Sequence, residues 1–110
     1  MVIKAITHGL HYEIANNERF HPVFSVIITQ LTEFMNQQKE FEDYCIFIKV
    51  SPTDLGTEIV FHDGGAKYDE ELDDLVYVTY ATIKVKRPID KEYTLYYSVD
   101  EKILCFLEER

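Results

Sequence analysis

The sequence predicts an α+β fold in which one long amphipathic helix packs on an antiparallel sheet of about five strands. Apolar residues recur at helical spacing over residues 22–39, and most of the chain after residue 43 consists of short runs rich in Val, Ile, Thr, Tyr and Phe. The connections between these runs are short, which is typical of an antiparallel meander. A length of 110 residues, 46% of them hydrophobic, suits one packed core, so we expect a single α+β domain over residues 1–110.

The chain is expected to begin with a short strand and a turn over residues 1–12. Apolar and polar residues alternate there until Gly9 interrupts them. Residues 13–21 are polar and include the turn signal Asn16-Asn17. We therefore expect a turn between the first strand and the helix.

The helix is expected from about Pro22, which suits a first helical position, to about Lys39. Polar residues such as Ser25, Thr29 and Glu33 occupy one face of this segment and apolar residues the other. Five of the apolar side chains should be buried on the sheet: Phe24, Ile27, Ile28, Leu31 and Phe34.

The rest of the chain is expected to form strands. They are predicted over residues 44–50, 57–62, 75–86, 92–99 and 102–107. Asp63-Gly64-Gly65 ends the second run, and an acidic loop follows it. Only Asp100-Glu101 separates the last two runs, which predicts a tight hairpin.

The formal net charge of −9, from 20 Asp and Glu against 11 Lys and Arg, is the strongest compositional feature. Affinity for a phosphate backbone comes mainly from Lys and Arg, so we expect no direct binding to nucleic acid. A basic protein partner is compatible with this charge. The alternative is that the charge only keeps a small protein in solution.

Two acidic clusters are the candidate partner-binding residues. Glu40, Glu42 and Asp43 follow the predicted helix, where carboxylates oppose the helix dipole. Tyr77 and Tyr80 could supply an apolar anchor, although tyrosine is also an ordinary residue of packed sheets. The larger cluster precedes the third strand, where the alternative is a solvated loop, and comprises Asp69, Glu70, Glu71, Asp73 and Asp74.

Motifs for catalysis or metal binding are absent from the sequence. It has no glycine-rich phosphate loop and no cysteine pair at zinc-binding spacing. Cys45 and Cys105 lie inside apolar runs and are expected to be reduced core thiols. We therefore expect no enzyme activity, cofactor or metal, and the alternative of a metal binder would use His8, His11 and His62.

Membrane and secretion signals are also absent. No run of 18 apolar residues exists, and the first residues turn polar too early for a signal peptide. The expected location is the cytoplasm.

Two short motifs flank the predicted helix. Thr7-His8-Gly9 precedes it, and Phe41-Glu42-Asp43-Tyr44-Cys45-Ile46-Phe47 follows it. This arrangement resembles a small Firmicute family of unknown function, which opens with Thr-Arg-Gly and carries Leu-Asp-Tyr-Leu-Gln-Ile-Phe after its helix. His8 stands where that family has Arg. Its members often lie on mobile elements, including staphylococcal cassettes, so the resemblance implies a mobile-element setting and no particular activity.

The order of elements after the helix, the acidic loop and the closing hairpin are similar to the Ugi-type inhibitors of uracil-DNA glycosylase. Those inhibitors, several of them from phages and mobile elements, are acidic DNA mimics that grip the DNA groove of the glycosylase. The Glu-Ser-Ile segment that many of them place on an edge strand is absent here. The resemblance implies an acidic inhibitor of a DNA-handling enzyme, with uracil-DNA glycosylase as the leading target. The alternative is an adaptor or immunity-type protein whose basic partner is not a DNA enzyme.

Overall fold

The computed structural model describes residues 2–38, 40–41, 44–65, 67–76 and 78–110. This part of the chain contains helices α1 (His8–Asn16) and α2 (Phe20–Asn36), and a short 3₁₀ turn at Leu107–Glu109. The strands are β1 (Ala5–Ile6), β2 (Cys45–Thr53), β3 (Gly56–His62), β4 (Lys67–Asp69), β5 (Asp74–Val76), β6 (Thr79–Val85), β7 (Tyr93–Ser98) and β8 (Ile103–Phe106). The fold class is α+β, as predicted.

The main sheet has six strands in the order β1-β8-β7-β2-β3-β6. Its neighbouring pairs are antiparallel except β1 and β8, which run parallel, with Ala5 opposite Ile103. The prediction of a purely antiparallel sheet is therefore wrong. Strand β1 forms the edge of the sheet beside β8. A strand of two residues is too short for its sequence to show whether its partner runs parallel or antiparallel.

Helix α2 covers one face of the main sheet and builds most of the core. It begins two residues before Pro22 and ends at Asn36. Three of the five side chains expected on the sheet are buried, whereas Phe24 and Ile28 are only half-buried. The buried face of the helix consists of Phe20, Val23, Ile27, Leu31 and Phe34. Compared with the prediction, the helix is rotated so that Phe20 and Val23 are buried in place of Phe24 and Ile28. This is possible because the apolar stripe of the helix is wider than the face that contacts the sheet.

Helix α1 contradicts the expectation of one helix preceded by a strand and a turn. It occupies residues that the polar composition assigned to irregular structure. Leu10 is fully buried and Ile14, one turn later, packs against the core. Glu109, 100 residues further along the chain, accepts a hydrogen bond from the Gly9 N–H at 2.8 Å and so satisfies one free donor of the first turn. A local reading of the sequence cannot detect this contact.

The predicted strand over residues 75–86 is two strands separated by a break. Strand β5 pairs with β4 in a separate two-stranded sheet, and β6 pairs with β3 at the edge of the main sheet. Asp63 holds the break, because its backbone N–H donates to the Val78 carbonyl and its Oδ1 accepts from the Val78 N–H. The acidic segment before β5 is therefore part of a hairpin and not an irregular loop.

Cys45 and Cys105 are both buried and are not joined in a disulfide, as the sequence predicts. Neither helix in the described part of the chain is long and apolar enough to cross a membrane.

Candidate functional site

The acidic hairpin is defined here as residues 67–76, which comprise β4, its turn and β5. Asp69 and Asp74 lie directly opposite each other at the end of the two-stranded ladder. Asp69 Oδ1 accepts hydrogen bonds from the backbone N–H groups of Glu71 at 2.9 Å and Leu72 at 3.3 Å. Like charges opposite each other destabilise a ladder, so these bonds from the turn offset a local repulsion. The hairpin therefore has its own local support.

A second contact crosses the hairpin. The Tyr68 hydroxyl donates to the Asp73 carboxylate, and this hydrogen bond, more than burial, raises the pKa of Tyr68. Asp73 adopts a left-handed conformation with a φ of 51°, which aspartate tolerates better than most residues. The two aspartates at the ends of the turn thus shape the backbone as well as carrying charge.

The hairpin presents apolar surface between its charges. Leu72 at the turn is 67% exposed and Tyr68 is 59% exposed. The carboxylate residues Glu70, Glu71 and Asp73 are exposed around them. The structure thus places the five predicted acids of this cluster on one short hairpin, together with two exposed side chains, Tyr68 and Leu72, that were not predicted to take part.

The residues predicted after the helix are only partly described. Glu40 is exposed, and Phe41 beside it is buried with its ring centroid 4.8 Å from that of Tyr80 and 5.3 Å from that of Phe34. Tyr80 is half-buried on β6, and its ring packs against Phe41, which in turn contacts Phe34 of α2. Three further predicted partner-binding residues lie outside the described residues, namely Glu42, Asp43 and Tyr77.

The open face is defined here as the face of the main sheet that points away from the helices. Phe47 on β2 lies opposite Tyr96 on β7 and His62 on β3, with ring centroids 5.3 Å and 5.8 Å away. The Arg110 guanidinium carbon lies 4.6 Å from the Tyr96 ring centroid and 6.0 Å from that of Phe47. The face therefore has an aromatic row topped by a cation.

The charges on the open face are mainly positive. Lys49 follows Phe47 at the next outward position of β2, and Lys84 lies on β6 opposite Glu58 of β3. Lys49, Glu58 and His62 line a depression of about 240 Å³. Burial lowers the pKa of His62 against the opposing effect of Asp63, and Lys49 lowers it further. This surface was not predicted from the sequence. The feature that could have indicated it is the outward position of Lys49 and Lys84 on their strands.

A groove of about 780 Å³ lies beside α1 and the start of β7. On its wall, the Tyr93 hydroxyl donates to Glu13 Oε1 at 2.6 Å, and Asn17 Nδ2 donates to the same oxygen at 2.8 Å. These two hydrogen bonds lower the pKa of Glu13, while burial and then Glu13 raise that of Tyr93. The network joins α1 to β7, which gives this groove a structural role.

The histidines considered for a metal site are not brought together. His8 and His11 lie on α1, on the helix side of the sheet, whereas His62 lies on the open face. Among the described residues, no three His, Cys, Asp or Glu side chains are grouped so that they could hold a metal ion.

Comparison with known proteins provides no relative for this chain. No protein family, curated protein or solved structure matches it.

Proposed function

We propose that this protein is a non-enzymatic binding protein whose acidic hairpin docks on the basic surface of a partner, as a DNA mimic docks in a DNA-binding groove. The observation that carries the proposal is the hairpin itself. Its carboxylates are exposed around a turn whose backbone is held by Asp69, with Leu72 at its tip. Hydrogen bonds hold this turn, and a surface that is held before binding loses less conformational entropy on binding than one that is not.

The charge of the whole chain supports the same kind of partner. A net charge of −9 creates a field that attracts a basic surface and accelerates encounter with it. The hairpin concentrates five of the 20 acidic residues within six positions of the sequence. A basic partner would therefore meet its highest local density of carboxylates at this element.

The exposed apolar residues give the hairpin a means of tight binding. Charged contacts at the rim of an interface contribute mostly to specificity and to the association rate. Binding energy is concentrated in a few buried apolar or aromatic anchors, and Leu72 and Tyr68 are placed to act as such anchors. The partner surface should therefore combine basic side chains with a small apolar pocket.

Grooves that hold DNA are basic, and enzymes that act on bases combine such grooves with apolar side chains. For this reason the partner class in this proposal is a DNA-handling enzyme, and uracil-DNA glycosylase is the first target. The carboxylates surround a turn and do not follow one strand, so they suit a short stretch of groove.

The proposal is tested by measuring uracil excision by a bacterial uracil-DNA glycosylase with and without the protein. Inhibition at micromolar concentration is expected, and it should weaken for the double variant Glu70→Gln/Glu71→Gln. These two carboxylates are exposed, and the substitutions retain the turn bonds made by Asp69. The matched control is Asp100→Asn/Glu101→Gln, which removes the same charge from the β7–β8 turn and should inhibit like wild type.

If uracil excision is unchanged at micromolar protein, the glycosylase is excluded as the target. If the hairpin variant and its control inhibit equally, the hairpin is excluded as the binding element. The adaptor alternative is distinguished by competition, since duplex DNA should displace the protein from a DNA groove and should leave an adaptor complex intact. Salt should weaken the wild-type complex more steeply than the complex of the hairpin variant.

A further inference from the structure

We propose that the open face is a docking surface for the acidic hairpin of a second copy of this chain, so that copies associate head to tail. This inference uses the geometry of the hairpin but does not depend on the proposed inhibitory function. A protein with no effect on any glycosylase would still be expected to associate in this way. The occupant is a segment of the chain itself, so its chemistry is known in full.

The charge of the open face is opposite in sign to the net charge of the chain. In a chain with a net charge of −9, the described part of the open face carries the cations Lys49, Lys84 and Arg110. Glu58 is the acidic residue at the strand positions described there. The screening length is about 8 Å at physiological salt, so contacts at close range outweigh the repulsion between the two whole molecules. A strongly acidic segment is the complementary ligand for such a face.

The open face and the acidic hairpin both carry exposed or half-buried apolar groups. The open face has the half-buried rings of Phe47 and Tyr96, with the side chain of Val60 at a neighbouring outward position. The hairpin supplies Leu72 and Tyr68, which are mostly exposed in the single chain. Contact between them would remove apolar surface from water on both sides, which favours association.

The geometry of the association follows from the difference between the two surfaces. A single contact between unlike patches is heterologous, and its repetition joins copies head to tail in a ring or an open chain. Each copy in a chain of copies would use its hairpin on one neighbour and its open face on the other. A pair of copies therefore keeps one unused hairpin, which remains able to bind a basic partner.

Single-stranded nucleic acid is the other class of ligand that stacks on aromatic rings beside cations. The observations favour the hairpin over nucleic acid. Nucleic-acid affinity rises with the number of phosphates that Lys and Arg neutralise, and this face offers few cations on a strongly acidic protein. Binding of an oligonucleotide is therefore an outcome that would contradict the proposal.

The test is sedimentation velocity on the full chain from micromolar to millimolar concentration at physiological salt. The average mass of wild type is expected to rise with concentration. The face variant Lys49→Gln/Lys84→Gln and the hairpin variant Glu70→Gln/Glu71→Gln should each remain monomeric. Their matched controls change the net charge equally elsewhere and should associate like wild type. These controls are Lys4→Gln/Lys102→Gln and Asp100→Asn/Glu101→Gln.

A mixture of the two variants gives the sharpest result. The hairpin variant retains its open face and the face variant retains its hairpin, so an equimolar mixture should form pairs and stop there. Wild type that stays monomeric at every concentration would overturn the proposal, as would variants that associate like their controls. Binding of a fluorescent single-stranded oligonucleotide that is lost in the face variant, with no self-association, would assign the face to nucleic acid instead.

Discussion

The acidic hairpin and the open face differ both in charge and in the way that the fold holds them. The hairpin is supported locally, by bonds from Asp69 to the turn two and three residues later and by the Tyr68–Asp73 contact. The open face is assembled from strands far apart in sequence, with Phe47 between His62 and Tyr96. A surface with local support can therefore be altered without harm to the core, whereas a surface built by sheet register shares its residues with the fold.

Unfolding of the core should destroy the acidic hairpin and the open face together. Leu31 is fully buried where α2 meets the sheet, so Leu31→Asp should abolish cooperative unfolding, because an unpaired charge in a core costs several kcal/mol. Circular dichroism during thermal unfolding measures the effect. Ser25→Asp on the exposed face of the same helix is the control and should unfold like wild type. A cooperative transition for Leu31→Asp would show that the core is built differently.

Truncation of one apolar side chain on each surface should have different costs in stability. Phe47→Ala should lower the free energy of unfolding by about 2 kcal/mol, because a half-buried ring in contact with two neighbouring rings is lost. Leu72→Ala should change it by less than about 0.5 kcal/mol, since the side chain is mostly exposed. Denaturant titration of both variants provides the measurement. Equal costs would mean that the hairpin is as integral to the core as the open face.

The base of the hairpin should respond to the loss of its anchor. Asp63 is buried, and its Oδ1 accepts from the N–H groups of Gly65 at 3.0 Å and Val78 at 3.3 Å. Asp63→Ala should cost about 0.5–1.5 kcal/mol, because two partly exposed backbone donors lose their acceptor. Hydrogen exchange should accelerate at both amides while the amides of β2 and β7 remain protected. Asp63→Asn keeps an acceptor oxygen and is the control, and a similar cost for both variants would argue against the anchor.

The structure of the open face should also respond, weakly, to a fall in pH. Burial is the largest influence on Glu109 and raises its pKa, but hydrogen bonds from Thr7, Gly9, Phe106 and Leu10 together lower it below the ordinary value of 4.5. A lowered carboxyl pKa contributes stability that is present above the ordinary value and is lost as the pH falls through the folded value. Arg110, which contacts Tyr96, directly follows Glu109, so protonation of Glu109 should loosen the open face.

Amide chemical shifts of β7, followed from pH 4.5 downward, measure this effect. In Glu109→Gln the shifts of β7 should lose most of their dependence on pH in this range. A variant whose β7 shifts change with pH like those of wild type would contradict the link between the C-terminal turn and the open face.

Regular elements with strong local periodicity could be predicted from the sequence. Helix α2, strand β3 and the β7–β8 hairpin lie close to their predicted positions, because each buries one face and its residue pattern records that burial. Helix α1 could not be predicted. It is short, its buried side chain is Leu10, and its first turn is completed by a carboxylate from the other end of the chain.

The candidate site was predictable only in part. The acidic cluster was identified from composition, but its ordered hairpin depends on hydrogen bonds between side chains and backbone that a charge pattern does not encode. The open face was missed because Lys49, Lys84 and Arg110 lie in three separate segments. Each cation is unremarkable in its own segment, and only the order of strands brings the three to one side of the sheet.

The α+β class, the buried thiols and the net charge could be read from the chain alone, because periodicity, residue type and ionisation are local properties. The parallel edge pairing of β1 and β8, the rotation of α2, and the separation of a basic aromatic face from an acidic hairpin arise only in the folded molecule. Sheet register and strand order join residues of large sequence separation. The free energy of these pairings depends on the assembled core, so no single segment of the sequence reveals them.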